Sequence, residues 1–154
     1  KFCCKKSIKI LLRGQNIKSE GSKNMKKWET AFIFLSGAGG YYAIELAWRG
    51  RSHWTMALTG GTCFCLLYRL NTRMDKRPVM LKAVAGAGII TAVEFLVGCI
   101  VNLGLKWDVW GYSKMRFNLL GQICPLYFFL WTLLCVPLSP LCKAINKHIF
   151  NQGR

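Results

Sequence analysis

Four runs of apolar side chains organise the chain: Thr30 to Trp48, His53 to Leu70, Val79 to Leu105 and Leu119 to Leu138. Each holds about 18 or more mostly apolar residues, enough for a helix rising about 1.5 Å per residue to cross a hydrocarbon core of about 30 Å. None alternates with the period of two that marks a barrel strand. The pattern predicts an all-α, polytopic membrane protein, a four-helix transmembrane bundle with spans at about 30–48, 53–70, 79–105 and 119–138. The second span is the shortest, and Arg69 at its end is expected to snorkel. This domain, residues 28–140, lies between a basic amino-terminal segment, 1–27, and a short basic tail, 141–154. Pro137 and Pro140 are expected to break the fourth helix, and Pro125 to bend it near Gly121. In the tail Leu141, Ile145 and Ile149 repeat every four residues among Lys143, Lys147 and His148, the pattern of a short surface helix.

Composition points to the same solvent. The 154 residues are 53% hydrophobic, yet only six acids stand against 22 basic residues, whereas a water-soluble domain of this size carries a more mixed surface charge. Placement of the basic residues sets the expected orientation. Lys1, Lys5, Lys6, Lys9, Arg13, Lys18, Lys23, Lys26 and Lys27 precede the first span; Arg69, Arg73, Lys76, Arg77 and Lys82 flank the second loop; Lys143, Lys147 and Arg154 lie in the tail. With four spans these seventeen share one side, and Arg49, Arg51, Lys106, Lys114 and Arg116, five in all, face the other. The positive-inside rule then puts both termini in the cytoplasm of a multi-pass membrane protein. Contact with anionic lipid accounts for the +16 net charge. Nucleic acid is not an expected partner, because no zinc-finger, RRM or helix-turn-helix pattern accompanies the charge.

Residues 1–24 carry Cys3, Cys4 and a brief apolar patch (Ile8, Ile10, Leu11, Leu12), without the apolar core and cleavage site of a secretory signal. An upstream extension ahead of Met25, a flexible basic lead-in and a surface helix all fit. The eight cysteines, with Cys63 and Cys65 two apart and no neighbouring His pair, do not match a zinc ligand set. Neither a metal nor a cofactor is expected. Small residues at four-residue spacing (Ser36 and Gly40; Ala83, Ala87 and Thr91; Val84, Gly88 and Ala92), with Gly37, Gly60 and Gly61, suit close helix packing in lipid.

Charged groups at membrane depth are the candidate chemistry. Glu94 lies just past the middle of the third run, with Thr91 one turn before it and Asn102 eight residues on, close to the same face. Glu45 stands four residues before Arg49 near the end of the first run, and Asn118 and Gln122 are four apart at the start of the fourth. The expected outer half of the bundle therefore collects Glu45, Arg49, Arg51, His53, Thr91, Glu94, Asn102, Asp108, Asn118 and Gln122. A charge at a helix centre costs about 2.5 to 3.5 kcal/mol on insertion scales, so Glu94 is expected to face protein, water or a basic partner rather than lipid, or else to be protonated. Two readings fit: a polar pathway whose acid pairs with Arg49 or Arg51, and an interhelical clamp of hydrogen bonds. Trp48, Trp54, Trp107, Trp110 and Tyr112 fit a headgroup-level aromatic belt, and His53 a wet interfacial position.

Taken together, Tyr41-x-x-Ile44-Glu45-x-x-Trp48-Arg49-Gly50-Arg51-Ser52-His53-Trp54-Thr55-Met56, Gly60-Gly61, Ile90-Thr91-Ala92-Val93-Glu94-Phe95, Gly98, Val101-Asn102, Trp107-Asp108-x-Trp110-x-Tyr112-Ser113 and Asn118-x-x-Gly121-Gln122-Ile123-Cys124 resemble the ABC-transporter type IV permease family of small bacterial membrane proteins. The resemblance runs from about residue 30 to 138 and implies a multi-helix permease component. The chain has no Gly-x4-Gly-Lys-[Ser/Thr] phosphate loop, so ATP hydrolysis would belong to a separate ATPase subunit. Four helices make a thin pathway, and a second copy of the chain is a further expected partner beside membrane lipid. A non-transporting scaffold or envelope partner is the main alternative. No Ser-His-Asp, His-Glu-x-x-His or Gly-x-Ser-x-Gly pattern favours an enzyme, in which Glu94 or Asp108 would act as base and Arg49 or Arg51 would grip a phosphate.

Overall fold

A computed structural model describes residues 25–150, and the expectations for residues 1–24 lie outside them. The described chain is all-helical: α1 spans Lys27–Arg49, α2 Trp54–Arg73, α3 Val79–Gly98 and α4 Pro125–Ile145. The third and fourth continue as π-helix over Cys99–Gly104 and Asn146–Phe150. Among the described residues there is no strand, only an isolated bridge between Leu119 and Ile123. Two of the four helices, Val79–Gly104 and Pro125–Phe150, are long and apolar enough to cross a membrane.

Local chemistry explains the helix ends. The Glu29 carboxylate accepts from the Lys26 backbone N–H at 3.1 Å, which places an acid at the positive end of α1. Gly50 stops α1 in a left-handed conformation, φ +67°, with its N–H on the Leu46 carbonyl. His53 then caps α2 by accepting from Thr55 N–H at 3.4 Å, so α1 and α2 form a tight antiparallel hairpin. Its close approach is made by Gly37 and Gly60. A Cβ on Gly37 would run into Phe64, and one on Gly60 into Tyr41. The expected Ser36–Gly40 stripe is not the contact, since a Cβ on Gly40 meets nothing. On α3, Ala83 and Ala87 are fully buried as the small-residue ridge predicts, while Val84 on the other ridge is exposed and a Cβ on Gly88 meets open space.

The fourth helix corrects the expected boundaries. It starts at Pro125 rather than Leu119, because Leu119–Gln122 is a tight turn closed by Gln122 N–H on the Leu119 carbonyl. Its central residues, Leu120 at φ +52° and Gly121 at φ +69°, are both left-handed, as a type I′ turn requires. Pro125 therefore occupies the first helical turn, where a missing N–H costs nothing, and puts no bend at Gly121. Pro137 and Pro140 lie inside α4 and do not end it. In an apolar solvent a broken helix would expose more unbonded backbone than the few bonds two prolines remove. The residues expected to form a separate surface helix from 141 instead continue α4. Phe150 packs edge-on against Trp28, Phe32 and Tyr68 at 5.2, 6.0 and 5.9 Å, holding this end against α1 and α2.

α1 packs on α2, α3 on α4, and α2 also touches α3 and α4. One core cluster joins Cys63, Leu67, Ala83, Ile90 and Cys135, and a second joins Ile33, Phe64, Tyr68 and Cys142. Facing each other across a groove, α1 and α4 are bridged by side chains at two levels, Phe150 at one end and a Tyr41–Trp131 pair near the other.

Candidate functional site

Glu94 is the centre of the site and is 2% exposed. It projects from α3 between Tyr41, which entered only as the first residue of the Tyr41-x-x-Ile44-Glu45 motif, and Trp131, which the sequence did not single out. Tyr41 of α1 donates its hydroxyl to Oε1 at 3.1 Å, and Trp131 of α4 donates its indole N–H to Oε2 at 2.9 Å. The expected pairing with Arg49 or Arg51 does not occur. Arg49 binds Glu45 at 2.9 Å one helical turn back and the Val109 carbonyl at 3.2 Å, while Arg51 is exposed on the hairpin loop. Glu45, itself buried, also accepts from Ser52 Oγ. Three helices therefore converge on one acid through neutral donors. The nearest ion pair is satisfied on its own.

A second polar centre lies where α3 ends. Asn102 donates to the Trp110 carbonyl and to Gln122 Oε1, each at 2.8 Å, and accepts from Val109 N–H at 2.8 Å. Trp110 returns its indole N–H to the Gln122 carbonyl at 3.3 Å. Gly98 leaves the room this requires: a Cβ there would stand 2.5 Å from Gln122 Oε1. The eight-residue spacing that put Asn102 on the face of Glu94 assumed continuous α-helix. The π-helix at Cys99–Gly104 bonds i to i+5 and changes the angular spacing, so Asn102 holds the loop instead.

The remaining expected residues separate from both centres. Asn118 and Gln122 are not a helical pair, because the tight turn precedes α4. Asn118 donates to the Met115 carbonyl and accepts from Gly121 N–H. Asp108 is exposed in a left-handed conformation, φ +47°. His53 caps α2 and lies against Trp54 and Trp107, at ring distances of 5.6 and 5.5 Å. Thr91 Oγ1 is buried without a hydrogen-bond partner.

Two cavities meet at Tyr41 and Trp131, the two side chains bonded to Glu94, which itself lines neither. A chamber of about 510 Å³ is lined by Tyr41, Ile44, Glu45, Arg49, Trp110, Tyr112, Tyr127 and Trp131, among others. A groove of about 370 Å³ continues from it along the gap between α1 and α4, past Phe32, Gly37, Leu138, Leu141 and Ile145 to Ile149. Tyr41, Ile44, Trp131 and Leu134 line both. Tyr112 reaches this chamber from the loop and packs on Tyr127 at 4.3 Å. Burial, with Glu94 nearby, pushes its phenol well above the ordinary value and keeps it a neutral hydroxyl.

Sequence reasoning also missed the opposite end. Asn71, Lys82 and Ser139 are buried there, and Asn71 Oδ1 and Ser139 Oγ have no partner. Lys82 counted only as one of the basic residues flanking a loop, although its place four residues into an apolar run was a legible signal. Among the described residues no three His, Cys, Asp or Glu side chains gather as metal ligands.

Comparison with curated proteins and with solved structures gives no match. A protein family described as "Putative ABC-transporter type IV" matches residues 31–152, a stretch that includes all of α2, α3 and α4, both cavities and the Glu94 site. The chain belongs to that family.

Proposed function

We propose that this chain is a permease-type component of an ABC transporter, crossing the bacterial plasma membrane four times with both termini in the cytoplasm. Membership of the transporter-type family over residues 31–152 carries this reading. It is supported by the two apolar spans, of which only 33% and 28% is buried, so most of their hydrocarbon surface needs an apolar solvent. Trp28 at the start of α1 meets Phe150 beyond the end of α4, and nine of the fourteen basic residues among 25–150 lie at that end of the helices. The chamber at the other end then opens toward the outer leaflet, with Glu94 as the acid of the substrate route and Tyr41 and Trp131 as the side chains that must part to expose it. The chain performs no catalytic step of its own. ATP hydrolysis belongs to a separate subunit, and lipid and a second copy complete the assembly.

The reading is tested by mild solubilisation and by substitution. An ATPase subunit should copurify, and Glu94→Gln should abolish flux or the growth that depends on it while membrane abundance stays unchanged. A second reading, a non-transporting scaffold, draws on one observation: both oxygens of Glu94 are already bonded within the chain. It requires the opposite result, loss of the protein from the membrane on Glu94→Gln.

A further inference from the structure

The chamber beside Glu94 is unbalanced in charge. Arg49, the basic residue in its lining, is neutralised by Glu45 at 2.9 Å and bonded to the Val109 carbonyl. Glu94, directly behind Tyr41 and Trp131, is held by neutral donors alone. An ionised Glu94 therefore leaves the site one negative charge in excess, in surroundings where an uncompensated charge is costly. What lies in front of that charge is aromatic: Tyr41 and Trp131 stand 6.0 Å apart, Tyr127 6.3 Å from Trp131, and Tyr112 4.3 Å from Tyr127. Ring faces attract cations, most strongly where water is excluded. A phenol or indole that donates to a carboxylate gains electron density in its ring, so Glu94 strengthens the attraction of both Tyr41 and Trp131 even while they cover it. The groove below is apolar and open between α1 and α4, and it shares four lining residues with the chamber.

We propose that chamber and groove together bind a hydrophobic organic cation, its ammonium head against Tyr41, Tyr112, Tyr127 and Trp131 in front of Glu94 and its hydrocarbon tail between α1 and α4. An anionic amphiphile does not fit, because the arginine it would need is already paired. A free small cation would leave the groove unfilled. The proposal rests on the reading of this chamber as the substrate route and names the class of substrate. Binding needs no ATPase, so it is measured on the purified chain.

The probe is dodecyltrimethylammonium, titrated against the protein in uncharged lipid nanodiscs and followed by tryptophan fluorescence, with dodecyl sulfate as the chain-matched anion. Saturable binding of the cation, at least about tenfold tighter than the anion, is expected. Glu94→Gln should weaken it by about tenfold or more, and Glu94→Asp less. Should Glu94→Gln fail to fold, Leu138→Trp, which fills the groove, should weaken the twelve-carbon probe while leaving tetraethylammonium unaffected. Equal affinity for dodecyl sulfate, a non-saturating partition, an unchanged affinity in folded Glu94→Gln, or a groove occupied by a second copy of the chain would each overturn the proposal. Flux of some other solute without cation binding would refute it alone, and cation binding without ATPase or flux would refute the transport reading instead.

Discussion

Glu94 keeps its place in an apolar interior because two donors from two different helices meet its two oxygens. Removing either one leaves a buried oxygen unbonded, at about 1–3 kcal/mol. Tyr41→Phe and Trp131→Phe should each lower thermal stability by that order. The two losses should not add, because both act on one carboxylate, and a double-mutant cycle read by thermal unfolding checks this. Gly98→Ala tests the second centre. The added methyl meets Gln122 Oε1 and Trp110 Cζ2, and the Asn102–Gln122–Trp110 network must shift to admit it. A loss of about 1–3 kcal/mol is expected, with faster proteolysis confined to the loop before α4. Glu45 and Arg49 were legible as a pair from their spacing, since residues four apart on a helix are neighbours. Tyr41 and Trp131 were not, because nothing local links residues 53 and 37 positions away to Glu94.

At the scale of elements, contact between α1 and α2 depends on two glycines facing each other. Gly60→Val places bulk against Tyr41 and the Gly37 carbonyl, which should separate the hairpin and with it displace the Tyr41 hydroxyl from Glu94. Loss of the folded protein in a thermal-shift measurement checks it, whereas Gly40→Val, facing open space, should be tolerated. At the opposite end Lys143 reaches Asp75 at 2.9 Å and ties α4 to the turn between α2 and α3. The hydrogen bond and charge of Lys143 hold the Asp75 carboxyl below its ordinary value. Its folded pKa being the lower one, the pair stabilises the fold above the ordinary carboxylate range, and this contribution is lost as pH falls through the folded value. Asp75→Asn and the parent should therefore differ at neutral pH and low salt and converge only well below about pH 4, as melting curves across pH will record. The run from 119 to 138 mispredicted this last helix because hydropathy does not distinguish an apolar turn from a helix. The left-handed Leu120–Gly121 step and the proline at the helix start decided it.

For the whole molecule, the proposed orientation makes a labelling prediction. Cysteines introduced at Arg51 and Lys114 should react with an impermeant thiol reagent from outside intact cells, and one at Lys76 only after permeabilisation. The opposite pattern would reverse the topology, and labelling of all three from outside would remove the membrane altogether.

The sequence by itself determined that the chain is helical and largely apolar, that its charge is divided unequally between its apolar runs, and that a few polar groups interrupt those runs. Hydropathy and charge are sums over local residues and need no partner to be read. Only the tertiary structure decided what Glu94 touches, where α4 begins, that Asn102 turns away through a π-helix, and that α1 and α4 stand apart to leave a groove. Each of these follows from how side chains remote in sequence fit together, and packing is a property of pairs that no single run of residues contains.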